Sequence, residues 1–320
     1  MTPFTYHRAT SPHDAAERLA GDRAVPMGGG TDLLVAIDEG VERPAQVVDL
    51  RGIAGASDIA VQADGSLRMG GAARVHDVAQ HPAVRQRWAA LAQACESVGT
   101  PTLRQMGTMG GNLCQRPRCW YFRRGISCFK SGGDACPAVD GENQYLAIMN
   151  GGPCHAVHPS DPAVALMALD ATVEITGAGA ARRVAMDDFF VLPSERADRE
   201  TAVQPGEFVS AIVVPAASAG GVQHYHKLMQ REAWDFALAS IAAVRLESGV
   251  VRLVMGGVAP APWRVNSSVE EDVASGGLDD DSISALAERA LYDAVPMSKN
   301  GYKVEQAAAL LRQAMRELTT

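Results

Sequence analysis

The sequence predicts an α+β protein of two or three packed subdomains, and three observations carry that reading. Its 320 residues are too many for one hydrophobic core. Short β-prone runs are mixed with amphipathic helical stretches, without an internal repeat or a low-complexity tract. Two glycine runs, Gly28-Gly29-Gly30 and Gly107-Thr108-Met109-Gly110-Gly111-Asn112, follow a strand and a helix in the first half of the chain.

Phe4 to Arg8 is a short β-prone run. Ser11-Pro12 opens a helix with Ala15, Ala16, Leu19 and Ala20 on its apolar face, and Gly21 stops it. Ala24 to Met27 reads as a buried strand that runs directly into Gly28-Gly29-Gly30-Thr31-Asp32-Leu33-Leu34. Bare amides in such a turn can approach a phosphate without obstruction by Cβ atoms; the plain alternative is a tight turn. The spacing is not the G-x-G-x-x-G of a Rossmann site. Gln46 to Leu50 is a further strand, so residues 1–55 form a small α/β unit.

Leu67 to Val75 alternates as a strand does. Pro82 to Val98 forms one amphipathic helix that carries Trp88, Leu91, Ala92 and Cys95 and stops at Gly99; Cys95 is most simply a small core residue. In the glycine run that follows, Thr108 and Asn112 can add side-chain donors to the backbone amides. Two such loops suit a dinucleotide pyrophosphate gripped from two sides.

Five of the six cysteines fall between Asn112 and His158, in a stretch rich in Arg, Gly and Pro that has no helical or strand period. Such crowding points to a metal site or redox chemistry rather than a disulfide scaffold. Cys119, Cys128, Cys136 and Cys154 read C-x8-C-x7-C-x17-C, without the C-x2-C knuckles usual in structural zinc sites. Four thiolates on an irregular loop can still enclose a 4Fe-4S cubane. Arg116, Arg118, Arg123, Arg124 and Lys130 offer positive charge against an anionic cluster. The alternatives are a zinc-stabilised binding module and a loop with incidental cysteines, although long structureless loops are usually functional.

Ser160 or Asp161 caps a helix with Pro162 in its first turn and Val164, Leu166, Met167 and Leu169 on its apolar face; accepting from cofactor hydroxyls is the other role open to this pair. Ala171 to Gly177, Arg182 to Met186 and Phe208 to Val214 are strands. Pro215 and the small residues that follow mark a boundary, which divides the chain into 1–55, 56–215 and 216–320. Beyond it, Gln223 to Met229 and Val250 to Val258 are strands, and Phe236 to Leu246 is apolar on one side. Helices over Ser282–Val295 and Val304–Leu318 close the chain. Lys227, Arg231 and Asp235 recur every four residues, either as a solvated face or as part of a cofactor pocket.

The formal charge of -8, with no basic block, speaks against nucleic acid or an acidic membrane as partner. No apolar run reaches the roughly 20 residues that span a bilayer. The start of the chain lacks a signal-peptide pattern, so a cytoplasmic location is expected on its own account.

In order along the chain, GGGTDLL, GTMGGN, HPSD, KLMQREAWDFA and GGVAPAPWR resemble the FAD-binding medium subunit of the molybdenum hydroxylases, the xanthine dehydrogenase and carbon monoxide dehydrogenase family. The resemblance covers essentially the whole chain. Most such subunits pass almost directly from GGN to the HPSD-like motif, whereas here an insertion carries the cysteines. It resembles that of two 4Fe-4S-containing subgroups, the heterotrimeric bacterial aldehyde oxidoreductases and the 4-hydroxybenzoyl-CoA reductases. The run GNLCQRPRCWYFRRGISCFKSGGDACPAVDGEN looks closer to the aldehyde enzyme.

The resemblance implies a two-subdomain FAD-binding fold of the vanillyl-alcohol-oxidase-like kind, followed by a C-terminal domain of antiparallel sheet and helices. By position, Pro26, Met27, Gly28, Gly29, Gly30, Thr31, Asp32 and Leu33 form one pyrophosphate loop, and Gly107, Thr108, Gly110, Gly111 and Asn112 the other. Asp161 meets the ribitol or ribose, Phe208 or Val209 flanks the ring system, and Lys227 lies near it. Cys114 stands where most relatives have an apolar residue beside the flavin, which leaves Cys119, Cys128, Cys136 and Cys154 as the cluster ligands. No residue is expected to act as a general acid or base. Molybdopterin is expected on a large partner subunit and two 2Fe-2S clusters on a small one, with electrons leaving through FAD to an external acceptor. A signal-bearing partner would carry the folded chain into the periplasm.

Overall fold

The computed structural model describes residues 3–231 and 233–319. Its first sheet is parallel: β1 (Thr5–Arg8), β2 (Ala24–Met27) and β3 (Gln46–Asp49) lie in the order β1-β3-β2. Parallel neighbours need crossovers, supplied by α1 (Pro12–Leu19) and α2 (Leu33–Asp38). Ser11 Oγ caps α1 by accepting from the Asp14 amide at 3.1 Å, and Ala15, Ala16 and Leu19 turn inward. The first glycine run therefore sits at the carboxyl end of β2, where the strand amides run out of partners.

The second sheet is antiparallel, with β4 (Ile59–Val61), β5 (Leu67–Gly70), β6 (Thr172–Thr176), β7 (Arg182–Ala185) and β8 (Phe208–Val214) in the order β4-β5-β8-β6-β7. The strand expected over 67–75 stops at Gly70. Gly70 and Gly71 pass so close to other backbone that a Cβ on either would lie 2.1 Å from a carbonyl oxygen, of Ala56 and of Val209 respectively. The chain turns there and enters α3 (Val75–Gln80). The single helix expected over 82–98 is two, α4 (Pro82–Arg87) and α5 (Ala89–Glu96). Between them Trp88 leaves helical geometry (φ -133°, ψ 57°) and is fully buried, with the Arg87 guanidinium 4.7 Å from its ring centroid. The short helices α6 (Pro101–Met106), α7 (Met109–Leu113) and α8 (Trp120–Arg123) follow, then α9 (Asp161–Ala168) and α10 (Met186–Phe189). Helices α5 and α9 pack with the second sheet into the main core, around Leu91, Leu166, Val173 and Ile212.

The third sheet is antiparallel, with β9 (Val222–Leu228), β10 (Ala239–Arg245), β11 (Val251–Gly256) and β12 (Trp263–Arg264) in the order β12-β11-β10-β9. Along β10, Ala242 and Val244 face the main core. Ile241 and Ala243 face a second core closed by α11 (Ser267–Ser275), α12 (Asp280–Ala290) and α13 (Tyr302–Thr319). A sheet covered on both sides reads as a continuous apolar run, so β10 is apolar on both faces rather than on one. Strand β4 and helix α11 have no counterpart in the sequence reading. Among the described residues, no helix is long and apolar enough to cross a membrane.

Candidate cofactor sites

A cavity of about 890 Å³ lies where the first sheet, the second glycine run and the C-terminal domain meet. Pro26, Gly29, Gly30, Thr31, Asp32 and Leu33 line one side of it, and Gly107, Thr108, Gly111 and Asn112 another. Among the described residues, the amides of Gly29, Gly30, Thr31 and Asp32 donate to no protein acceptor. Unpaired amides beside an open cavity form a cradle for an anion. Gly30 has φ +75°, which favours glycine. Gly28 and Gly29 have a different reason to be glycine. A Cβ on Gly29 would lie 1.7 Å from Met106 O, and one on Gly28 would lie 2.1 Å from Thr108 Oγ1. The two glycine loops abut, so Gly28 sits behind the wall, as do Met27 and Gly110; Met27 is in a small core with Ile37 and Val47. Thr108 caps α7, its Oγ1 accepting from the Gly111 amide at 3.2 Å.

Across the cavity stand Asp161 and Lys227. Burial pushes the Asp161 carboxyl above its usual range, against the pull of Lys227 Nζ at 2.8 Å and the Tyr225 hydroxyl at 2.7 Å. Lys227 Nζ also donates to Ser97 O at 3.1 Å. Ser160, and not Asp161, is the N-cap of α9; its Oγ accepts from the Ala163 amide at 3.1 Å and donates to Asn112 Oδ1 at 2.5 Å. His158 is buried beside it, and burial holds its imidazole neutral, with its pKa down at about 3. Cys114 lines this same cavity, and burial raises its thiol to about 12. Phe208 and Val209 do not line it. They lie on an inner strand of the second sheet, where Phe208 packs on Ala9, Ala15 and Leu19 and Val209 joins the main core. The aromatic residues that do reach the cavity are Trp120, Trp234 and Phe236.

Asp32 has a role that its place in the glycine loop did not reveal. Its carboxylate accepts from the Arg116 amide at 2.8 Å, from Arg123 Nη2 at 2.8 Å and from Arg118 Nη1. Burial alone would raise its pKa, but the two guanidiniums bring it below the usual range. Arg116 pairs with Glu42 at 2.7 Å and Glu200 at 2.9 Å, and Lys130 with Glu200 at 2.6 Å. The basic residues among the cysteines, read from sequence as charge for a cluster, are thus largely matched by carboxylates that fasten the segment to the first glycine loop and α2 region before it and to the loop of Glu200 after it. Its other end is fastened to the C-terminal domain: the Ile148 and Met149 amides donate to Val258 O at 2.8 and 3.0 Å.

Between these anchors Cys119, Cys128, Cys136 and Cys154 line one small pocket with Phe122, Leu146 and Ala156. Burial raises the Cys119 thiol and takes that of Cys154 to about 11. The neighbouring amides of Phe122 and Tyr121 offset part of that rise at Cys119, and Lys130 and the Ala156 amide part of it at Cys154. An apolar pocket lined by four cysteine sulfurs has the donor set that an iron-sulfur cluster takes. Cys95 is apart from them, fully buried in the main core.

The spacing of Lys227, Arg231 and Asp235 is not a helical face. Lys227 is on β9, while Arg231 and Asp235 pair with each other at 3.0 Å in the segment that follows. Sequence reasoning missed Tyr225 as a partner of Asp161. Its signal was the strand period, which puts residues 223, 225 and 227 on one face.

The chain matches the family model described as the FAD binding domain in molybdopterin dehydrogenase over residues 2–217, and that of the CO dehydrogenase flavoprotein C-terminal domain over residues 224–318. It is 35% identical to the aldehyde oxidoreductase FAD-binding subunit PaoB of Escherichia coli, with 99% of this chain and 98% of the relative covered. It is 27% identical to the glyceraldehyde dehydrogenase medium chain of Sulfolobus acidocaldarius, with 98% of each covered. Among solved structures, carbon monoxide dehydrogenase from Hydrogenophaga pseudoflava shares the fold with a TM-score of 0.76 at 22% identity, over 99% of this chain and 98% of that one. The chain belongs to the FAD-binding medium subunits of the molybdenum hydroxylase family, oxidoreductase subunits that act within a multisubunit enzyme.

Proposed function

We propose that this chain is the electron-transfer subunit of a molybdenum-dependent aldehyde oxidoreductase, with FAD in the large cavity and a 4Fe-4S cluster on Cys119, Cys128, Cys136 and Cys154. The observation that carries the cluster is the convergence of these four cysteines, the first and last 35 positions apart in sequence, on one apolar pocket. Among the described residues, no three of their sulfurs lie within 4.8 Å of one another. A tetrahedral zinc ion with 2.3 Å bonds would draw them to about 3.8 Å. The spacing favours a polynuclear cluster over zinc.

Bound FAD supplies a carrier that takes up and releases electrons singly or in pairs. The chain's own residues bind and orient: the two glycine loops offer amides to a pyrophosphate, and the Asp161–Lys227 pair closes the opposite wall. Aldehyde as the substrate class is supported by the names of the Escherichia coli and Sulfolobus relatives. Substrate oxidation belongs to a large molybdopterin subunit, a small subunit with 2Fe-2S clusters relays the electrons, and an external acceptor takes them from this chain.

The visible spectrum and metal content of the purified chain test the cofactors. Flavin bands with a broad brown shoulder are expected; a colourless zinc protein would remove the reading. Cys128→Ser should lower the iron by one 4Fe-4S cluster while Cys95→Ser leaves it unchanged, and equal iron in the two variants would take Cys128 out of the ligand set. Oxidation of aromatic aldehydes by the assembled complex, against reduction of aromatic acyl-CoA thioesters, decides between the aldehyde enzyme and a 4-hydroxybenzoyl-CoA reductase-like one.

A further inference from the structure

Strand β9 serves two faces. Tyr225 and Lys227 turn to the flavin side and hold Asp161, whereas His224 and His226 alternate to the other side and meet Glu317 on α13. His226 Nε2 lies 2.6 Å from Glu317 Oε2, and His224 Nδ1 lies 4.0 Å from the same oxygen. The two imidazoles are stacked, 6.0 Å apart with 11° between their planes. The three ligand atoms all fall within 4.8 Å of one another. Gln313, one helical turn before Glu317, donates to its other oxygen, Oε1, at 3.0 Å. That bond leaves Oε2 turned toward the histidines. The side chains of His224, His226 and Glu317 are 35%, 26% and 30% exposed, so an ion from solvent can reach them.

We propose that His224, His226 and Glu317 bind a divalent transition-metal ion of the zinc class, with a fourth position open to water. Two imidazoles and one carboxylate form a donor set that zinc accepts, and hard oxygen-seeking ions such as magnesium do not favour it. In tetrahedral coordination with bonds of about 2.0–2.1 Å, ligand atoms sit about 3.4 Å apart. The observed 2.6 and 4.0 Å bracket that separation, so small rotations of the side chains close the site. The ion takes the place of the proton shared between His226 and Glu317. It ties β9 to α13 on the face opposite the flavin cavity and uses none of the residues assigned to FAD or to the cluster.

The test uses the assembled holoenzyme, dialysed against a chelator and then incubated with Zn²⁺ or, separately, Mg²⁺. Zinc and iron are counted after desalting and the melting temperature is recorded. Expected are one retained zinc per chain beyond the chelated enzyme, a raised Tm with Zn²⁺ and no change with Mg²⁺. Gln313→Ala, which removes the hydrogen bond to Glu317 Oε1, should weaken zinc binding about 10- to 100-fold. His226→Asn should abolish retention of that zinc, with iron unchanged in both variants. His224→Asn serves as the ligand variant if His226→Asn does not fold. A wild type that retains no additional zinc overturns the site. So does zinc retained equally by the histidine variants, which would locate the ion elsewhere.

Discussion

A methyl group on Gly29 has no room: its Cβ would lie 1.7 Å from the carbonyl oxygen of Met106, a backbone atom that cannot rotate away. Gly29→Ala must therefore part the two glycine loops, and we expect a loss of about 1–3 kcal/mol, as for an overpacked core, together with loss of bound FAD. At Gly111 the same methyl meets only Thr108 Oγ1, at 3.0 Å, beside the open cavity. Gly111→Ala should keep its stability and bind flavin more weakly. Urea unfolding and flavin content of the two variants separate these outcomes, and a Gly29→Ala protein with normal stability would show that the loops do not abut. His158 makes a second prediction at this scale. Folded, it is neutral with a pKa of about 3, because burial disfavours its charge; unfolded, it titrates near the ordinary value of about 6.5. Between those values only the unfolded chain binds the proton. Its contribution to stability is whole above the unfolded pKa and is lost as the pH falls through that window. The loss amounts to about 2 kcal/mol between pH 7.5 and pH 5. Unfolding at the two pH values should show a smaller loss in His158→Phe; equal losses would mean that His158 is not held neutral.

At the scale of elements, the segment that carries the cysteines is held like a strap, and Asp32 is its first buckle. Asp32→Asn leaves Arg118 and the buried Arg123 without their shared anion, which should cost about 3 kcal/mol. It should also speed tryptic cleavage at the exposed Arg124. Unchanged digestion would mean that the ion pairs do not hold the segment. Much of this architecture was legible in the sequence. Glycine and proline mark where chains turn, and period-2 runs give strands, so β2, β3, β6, β8 and the two glycine loops fall where expected. What was not legible depends on distant partners. Nothing local says that Gly29 is glycine because of Met106, or that the arginines near the cysteines answer Asp32, Glu42 and Glu200. Trp88 breaks a helix whose propensities continue through it, because its ring is needed in the core. The family resemblance puts Phe208 beside the ring system by position alone, while the sheet turns it into the core around Leu19.

At the scale of the whole molecule, the two family-defined parts of the chain meet in one buried ion pair. Asp161 begins α9 in the first part and Lys227 lies on β9 in the second; their side chains are 6% and 3% exposed and 2.8 Å apart. Removing one partner strands the other charge, so Lys227→Met should destabilise by about 3–5 kcal/mol, whereas removing both charges is far less costly. Asp161→Asn combined with Lys227→Met should therefore recover much of the loss, and the double-mutant cycle should show coupling of about 2 kcal/mol or more. The penalty in Lys227→Met should also shrink on acidification. A carboxyl buried without its cation has a folded pKa above its unfolded one, so it favours the folded state at low pH and loses that advantage as the pH rises through the folded value. Urea unfolding of the four proteins at two pH values gives both quantities. Strictly additive effects would mean that this ion pair does not help to join the two parts of the chain and serves only to shape the cavity wall.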